Sequence, residues 1–271
     1  MAVPQVEQLV PDVWAFVQRM LSMHEAGRLT DWAQLEAATH AFFAAERMDR
    51  IEATIPGWQK MAAYADSLTL NHVMLVFTAL LQSPEYCAAS AETRQLMNWT
   101  VLFHDLAKEV VEGQRDHVHG FRSAALAGRQ LPGLGFPLHH ASELEDWAVL
   151  TETAVTPHPV TGELMQDNRK LPAITAGIDR LFGLRAPAAL IIKAVLLHLS
   201  VNVLDQWSQM NPLTEAEIEQ YVDDDLYPLL KMMMLVDNDA WTFFDPAQKA
   251  VNRAETLAAF DRIAGNRTDL N

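Results

Sequence analysis

Trp99-Thr-Val-Leu-Phe-His-Asp-Leu-Ala-Lys108 begins as a run of bulky apolar residues of the kind that fills a buried helix, and it ends in two adjacent ligand-type side chains and a cation. An apolar run without strict alternation predicts a buried helix rather than a half-buried strand. His104 and Asp105 then stand where that helix reaches its end. Neighbouring residues on a helix project about 100° apart, so both reach one metal ion only if it lies between them, which leaves Asp105 able to bridge to a second.

Helical periodicity extends outward from this run in both directions. Val10, Val13, Trp14, Val17, Met20 and Leu21 mark a helix from Pro4 to Ala26, stopped by Gly27. Thr30-Asp31 caps a second, carrying Trp32, Leu35, Ala38, Phe42 and Phe43 to about Ile55, where Pro56-Gly57 breaks it. Others are predicted over Ser67–Gln82, from Ser90 through Phe103, over His119–Arg129 and over Ser142–Val155. The rest are expected over 171–182, 187–209, 214–236 and 246–264, with Thr214 and Glu217 forming a capping box. Met232-Met233-Met234 reads as core filling and Asp223–Asp225 as a solvated turn. No alternating strand of five or more residues is visible, so the fold is expected to be all-α. A single domain is expected, with a helical extension over 1–66, a core over 67–208 and C-terminal helices over 209–271.

Composition narrows the function. Twenty Lys and Arg against 35 Asp and Glu give a net charge of −15, unsuited to long nucleic acid or an anionic lipid surface. The one cysteine, Cys87, has no internal partner for a disulfide, and Met1–Arg19 lacks the basic and apolar regions of a signal peptide, so a reducing cytoplasm is expected. Ala186–Leu204 is apolar but carries Lys193, His198 and Asn202, which argues for a buried helix and against a membrane span. No Walker A, G-x-S-x-G or paired-cysteine motif is present. Ten histidines are the abundant candidate ligands.

His72 lies in the apolar stretch around Leu70, Val73 and Leu75, and Asp205 follows Val201, Val203 and Leu204. A carboxylate among such neighbours needs a partner, and a divalent cation held by His72, His104, Asp105 and Asp205 would supply it. That order, with His119 in His-Gly-Phe-Arg-Ser-Ala-Ala-Leu-Ala and His158 after Val155-Thr-Pro, resembles the HD-domain metal-dependent phosphohydrolase superfamily. The segment 98–206 is most similar to the HD domains that accompany tRNA nucleotidyltransferases and poly(A) polymerases, although no nucleotidyltransferase domain is visible. The resemblance spans residues 68–208 and implies an HD-domain-like helical bundle.

It also implies roles. His72, His104, Asp105 and Asp205 would hold a first metal, with Asp105 bridging, and His119 and His158 would hold a second. His139-His140 offers an alternative to His158. Lys108 would face the substrate phosphate, and Arg122 is a further candidate; His117 reads as a loop neighbour and His198 as the helix histidine nearest to a supporting role. Nitrogen and oxygen donors suit one or two ions of Mn, Fe, Co, Ni, Zn or Mg. The expected activity is hydrolysis of a small phosphate ester, such as a nucleotide, by metal-activated water. Because ligating imidazoles must be neutral, affinity for metal is expected to fall below about pH 6.5. Alternatives of the same architecture are a diiron oxygenase and a non-catalytic sensor or scaffold, for which Trp14, Trp32, Phe42 and Phe43 would supply a homodimer interface.

Overall fold

Capping side chains begin several helices where the sequence predicts them. Asp31 accepts the Gln34 N–H at 2.9 Å, Ser90 accepts the Thr93 N–H at 3.1 Å, and Thr214 and Glu217 close a reciprocal capping box; each satisfies a donor that a helix N-terminus leaves unpaired. The structure, a computed structural model, describes residues 3–63, 68–110, 115–204 and 209–268. Its first helices are α1 (Val6–Leu9), α2 (Pro11–Glu25), α3 (Trp32–Phe42), α4 (Ala45–Thr54) and α5 (Trp58–Ala63). Next come α6 (Leu68–Gln82), α7 (Pro84–Ala88), α8 (Ala91–Phe103), α9 (His119–Gln130) and α10 (Leu144–Glu152). A short antiparallel hairpin, β1 (Val155–Pro157) with β2 (Leu164–Gln166), precedes α11 (Leu171–Phe182) and α12 (Pro187–Leu197). The chain continues through α13 (Glu215–Tyr221), α14 (Leu226–Trp241) and α15 (Pro246–Thr268). The fold is all-α, as expected.

Two helices are apolar around most of their circumference and lie inside. Every residue from Thr69 to Leu80 on α6 and from Ala188 to Leu197 on α12 is buried, which is where a helix without a polar face must go. Helix α14 touches α6, α8 and α12, α8 also packs on α6 and α12, and α9 lies along α12. Met232, Met233 and Met234 are buried core residues. Helix α2 covers α6 and α15 covers α14. Trp14 packs on Phe77, Phe42 and Phe43 on Phe16, and Trp32 on Trp241 and Phe244, so these aromatics are engaged within the chain.

Several expected helices are divided or shortened. The one expected from Pro4 to Ala26 is parted at Val10 into α1 and α2, and the one expected over Ser142–Val155 runs only from Leu144 to Glu152, with Val155 beginning β1. The helix expected from Trp32 to Ile55 breaks at Phe43-Ala44, where Phe43 turns inward against Phe16 and the Arg47 guanidinium takes over the Phe42 carbonyl at 2.7 Å. Tertiary packing overrides the good helix propensity of the flanking alanines there. The helix expected over 187–209 ends at Leu197, because Ser200 N–H turns back to the Leu197 carbonyl and His198 caps the end. The helix expected over 214–236 is two helices. Asp223 accepts the Leu226 and Asp225 N–H groups at 2.9 and 3.1 Å and starts α14 afresh, which then runs on to Trp241.

Candidate metal centre

Six ionisable side chains from five elements meet where α6, α8, α9, α12 and α14 converge. His72 projects from the middle of α6, His104 caps the C-terminus of α8 and Asp105 follows it in the turn. His119 is the first residue of α9, His198 caps α12, and Asp237 lies on α14. They form two abutting groups, His72–His104–Asp237 and Asp105–His119–His198, in each of which the potential ligand atoms lie within 4.8 Å of one another. All but Asp237 are buried, and Asp237 is 21% exposed at its side chain.

Second contacts aim the imidazoles. The Nδ1 atoms of His104, His119 and His198 lie 2.7, 2.8 and 2.6 Å from the carbonyl oxygens of Val101, Asp116 and Val195. A carbonyl can only accept, so each Nδ1 carries the hydrogen and each Nε2 turns its lone pair inward. The inward atoms crowd one another. His119 Nε2 stands 3.2 Å from His198 Nε2 and 2.8 Å from Asp105 Oδ1, while His104 Nε2, fully buried, has no hydrogen-bond partner. Acceptors at such distances repel unless a proton or a metal cation lies between them. Asp105 joins the two groups: Oδ1 faces His104, His119 and His198 at 3.7, 2.8 and 3.9 Å, and Oδ2 faces His72 at 3.8 Å and Lys108 Nζ at 2.7 Å. His72 Nε2 is 2.8 Å from Asp237 Oδ1, its Nδ1 is buried without a partner, and its ring stacks on Trp241 with centroids 4.2 Å apart. A convergent set of four imidazoles and two carboxylates, with orphaned lone pairs and no thiolate, fits a transition-metal ion.

Electrostatics keep the donors in ligating form. Burial, assisted by His119 and His104, pushes the His198 imidazole down to about 3, and burial likewise lowers His104. Burial works against ionised Asp105 and Asp237. For Asp105 it is outweighed by the Lys108 ammonium and the neighbouring His104 and His119 imidazoles, and for Asp237 by the His72 hydrogen bond and the closeness of the His72 and His104 imidazoles, so both carboxyls are held well below the usual range. These shifts predict an acid-labile metal-free protein. Unfolded histidine protonates near 6.5, so the stability contributed by neutral His198 and His104 is complete above that pH and is lost as pH falls below it, toward about 3 for His198. The carboxylates act in the same direction below about 3.8, as pH falls toward their depressed folded values. The urea midpoint of chelator-treated protein should therefore decline between pH 7 and pH 4.5; a flat midpoint would contradict the buried, neutral imidazoles.

The close approach of α9 to α12 depends on Gly120. A Cβ there would lie 3.1 Å from the Leu196 carbonyl oxygen, 3.3 Å from that of Val195 and 3.4 Å from His198 Cε1. Gly120→Ala should push α9 outward by a few tenths of an ångström, cost about 1–3 kcal/mol and weaken metal binding between His119 and His198. Metal titration of the folded variant measures this, and unchanged affinity would show that the spacing is not critical.

Of the residues expected at the site, His72, His104, Asp105 and His119 come together. Asp205 lies outside the described residues; Asp237, a carboxylate not among those expected, stands beside His72 and His104. His158 joins neither group. It sits in the β1–β2 hairpin, where its Nδ1 accepts the N–H groups of Val160 and Thr161 at 3.3 and 3.2 Å. His198 is in the place expected of His158, as a member of the group rather than a support. His139 and His140 are in neither group. Arg122 is committed to Asp116 and Glu109, clamping the chain before α9. Lys108 is ion-paired with Asp105 and lies 5.6 Å from the Trp241 ring centroid. Asp237 and His198 were legible by the criteria already used: an acid after Met232-Met233-Met234-Leu-Val236 and a histidine after Val195-Leu-Leu197.

Comparison of the chain with protein-family models, with curated proteins and with solved structures returns no match. Among the described residues no helix is long and apolar enough to cross a membrane.

Proposed function

We propose that this protein is an HD-type, metal-dependent hydrolase of small phosphate esters, with His72, His104, Asp105 and Asp237 as ligands of one divalent ion and Asp105, His119 and His198 as ligands of a second. The observation that carries the reading is the pair of abutting donor groups bridged by the Asp105 carboxylate, with the His119 and His198 Nε2 lone pairs facing each other at a distance that a proton or cation between them relieves. Divalent ions bound there supply Lewis acidity toward a phosphoryl oxygen and acidify water. The chain's own contribution is orientation. The Val101, Asp116 and Val195 carbonyls hold three imidazoles in one tautomer, and Lys108 places a positive charge beside the carboxylate that joins the groups. Trp241, 46% exposed and stacked on His72, offers an indole surface suited to the base of a nucleotide. The net charge of −15 favours a compact anion held by local cations over a long polynucleotide.

Elemental analysis of protein purified without added metal, combined with a panel of phosphomonoesters, phosphodiesters and nucleotides assayed with and without chelator, tests this reading. Metal-dependent turnover of at least one class is expected; bound metal with no cleavage of any ester would remove the hydrolase. A second reading, a diiron oxygenase, draws on the four imidazoles among six ligands, a nitrogen-rich set that suits iron better than magnesium. Iron content, a diiron absorption band and oxygen consumption would favour it.

A further inference from the structure

Lys108 holds a position that a cation at the site would contest. Its Nζ lies 2.7 Å from Asp105 Oδ2, the oxygen that faces His72 at 3.8 Å, and Asp105 has no comparably close contact to spare on that side. The Asp105 side chain is 2% exposed and that of Lys108 21%, so the ammonium sits at the boundary between the donor cluster and solvent. The same Nζ lies 5.6 Å from the centroid of Trp241, within the roughly 6 Å at which an aromatic face attracts a cation.

We propose that Lys108 is a tethered stand-in for the metal: its ammonium occupies Asp105 Oδ2 while the site is empty and is expelled toward the Trp241 face when a divalent cation enters among His72, His104, Asp105 and Asp237. This inference rests on the metal-centre reading above. Charge counting supplies the driving force. With the imidazoles neutral, as ligation requires, the cluster carries two carboxylate charges, and in the empty site Lys108 offsets one of them. A dipositive ion offsets both, after which the ammonium faces a neutral or positive cluster and its attraction to Asp105 is gone. A short swing of a flexible four-carbon stem takes the ammonium off Asp105 without leaving the indole. Metal loading thereby releases a positive charge at the mouth of the site, so that an anionic substrate meets a free ammonium only when the centre is filled. The exchange moves one cation out as another enters, and no covalent bond changes.

The test uses full-length, chelator-stripped protein titrated with Mn²⁺ at one pH and ionic strength. Lys108→Met, which keeps the length and removes the charge, should bind Mn²⁺ at least about tenfold more tightly than wild type, because binding no longer displaces an ion pair. Lys108→Arg, which keeps the charge, should stay near wild type. An independent reading needs no variant: amine-reactive labelling of wild type followed by mass spectrometry should modify Lys108 several-fold faster with Mn²⁺ than without, while exposed Lys170 labels at a constant rate. Equal or weaker affinity in Lys108→Met, or a Lys108 labelling rate indifferent to metal, overturns the inference and leaves the metal centre standing. Absence of Mn²⁺ binding in both wild type and Lys108→Met overturns the two together.

Discussion

Asp105→Asn is expected to eliminate metal binding and, with it, phosphate-ester hydrolysis, while leaving a folded protein. Asp105 reaches both donor groups, with Oδ1 2.8 Å from His119 and Oδ2 3.8 Å from His72. The amide keeps the volume but removes the charge and turns one oxygen into a donor that cannot ligate. Loss of metal-supplied stabilisation of the reaction, several kcal/mol, corresponds to a fall in turnover of about 10³-fold or more. Folding reports the same event through linkage. A ligand at 100 times its Kd raises stability by about 2.7 kcal/mol, so saturating metal should raise the melting temperature of wild type and leave that of Asp105→Asn unmoved. A metal-dependent rise in the variant equal to that of wild type would place the ion elsewhere.

Trp147→Ala should be among the most destabilising single changes in the chain, costing about 3–5 kcal/mol. The indole, 4% exposed, is wedged between two helices and donates its Nε1–H to the Ile174 carbonyl at 3.0 Å. Glycines make the wedge possible. A Cβ at Gly128 on α9 would stand 2.3 Å from Trp147 Cζ3, and one at Gly177 on α11 would stand 2.4 Å from Cδ1. Gly128→Ala and Gly177→Ala should each reach or exceed the usual overpacking cost of about 1–3 kcal/mol, since a rigid indole between two helices cannot give way cheaply. Combining Gly177→Ala with Trp147→Phe should recover part of the loss, with a coupling of about 0.5–3 kcal/mol in urea denaturation. Strict additivity of the two changes would mean that the glycine and the indole do not meet. Because α9 carries His119 at its other end, loss of this wedge should also loosen the metal centre.

Much of the site was legible because its residues break the pattern around them. His104-Asp105 ends an apolar helix, His72 interrupts another, and each needs a partner that a core does not offer. Asp237 and His198 break the pattern in the same way, but Asp205 and His158 stood in competing positions, and choosing among them depends on where helices end. Those ends were poorly legible. Helix α12 stops at Leu197 because His198 and Ser200 bond back to the last turn, and α14 restarts at Asp223 because that carboxylate collects two N–H groups. Neither event alters the apolar periodicity from which a helix is read.

The sequence by itself determined the class of the fold, the caps at Asp31, Ser90 and Thr214, and the presence of ligand-type side chains on buried helices. These follow from interactions within a few residues of chain: periodicity, capping and the cost of an unpartnered charge. Only the tertiary structure brings Asp237 and His198 into the group with His72, His104, Asp105 and His119. Five elements far apart in the chain converge there, and the convergence is set by close packing, as at Gly120 against the Leu196 carbonyl. It also decided that the turn carrying the local Lys108–Asp105 pair lies beside the half-exposed Trp241 of α14, with the ammonium 5.6 Å from the indole centroid. Such contacts depend on distances of a few ångströms between separate helices, and local pattern does not encode them.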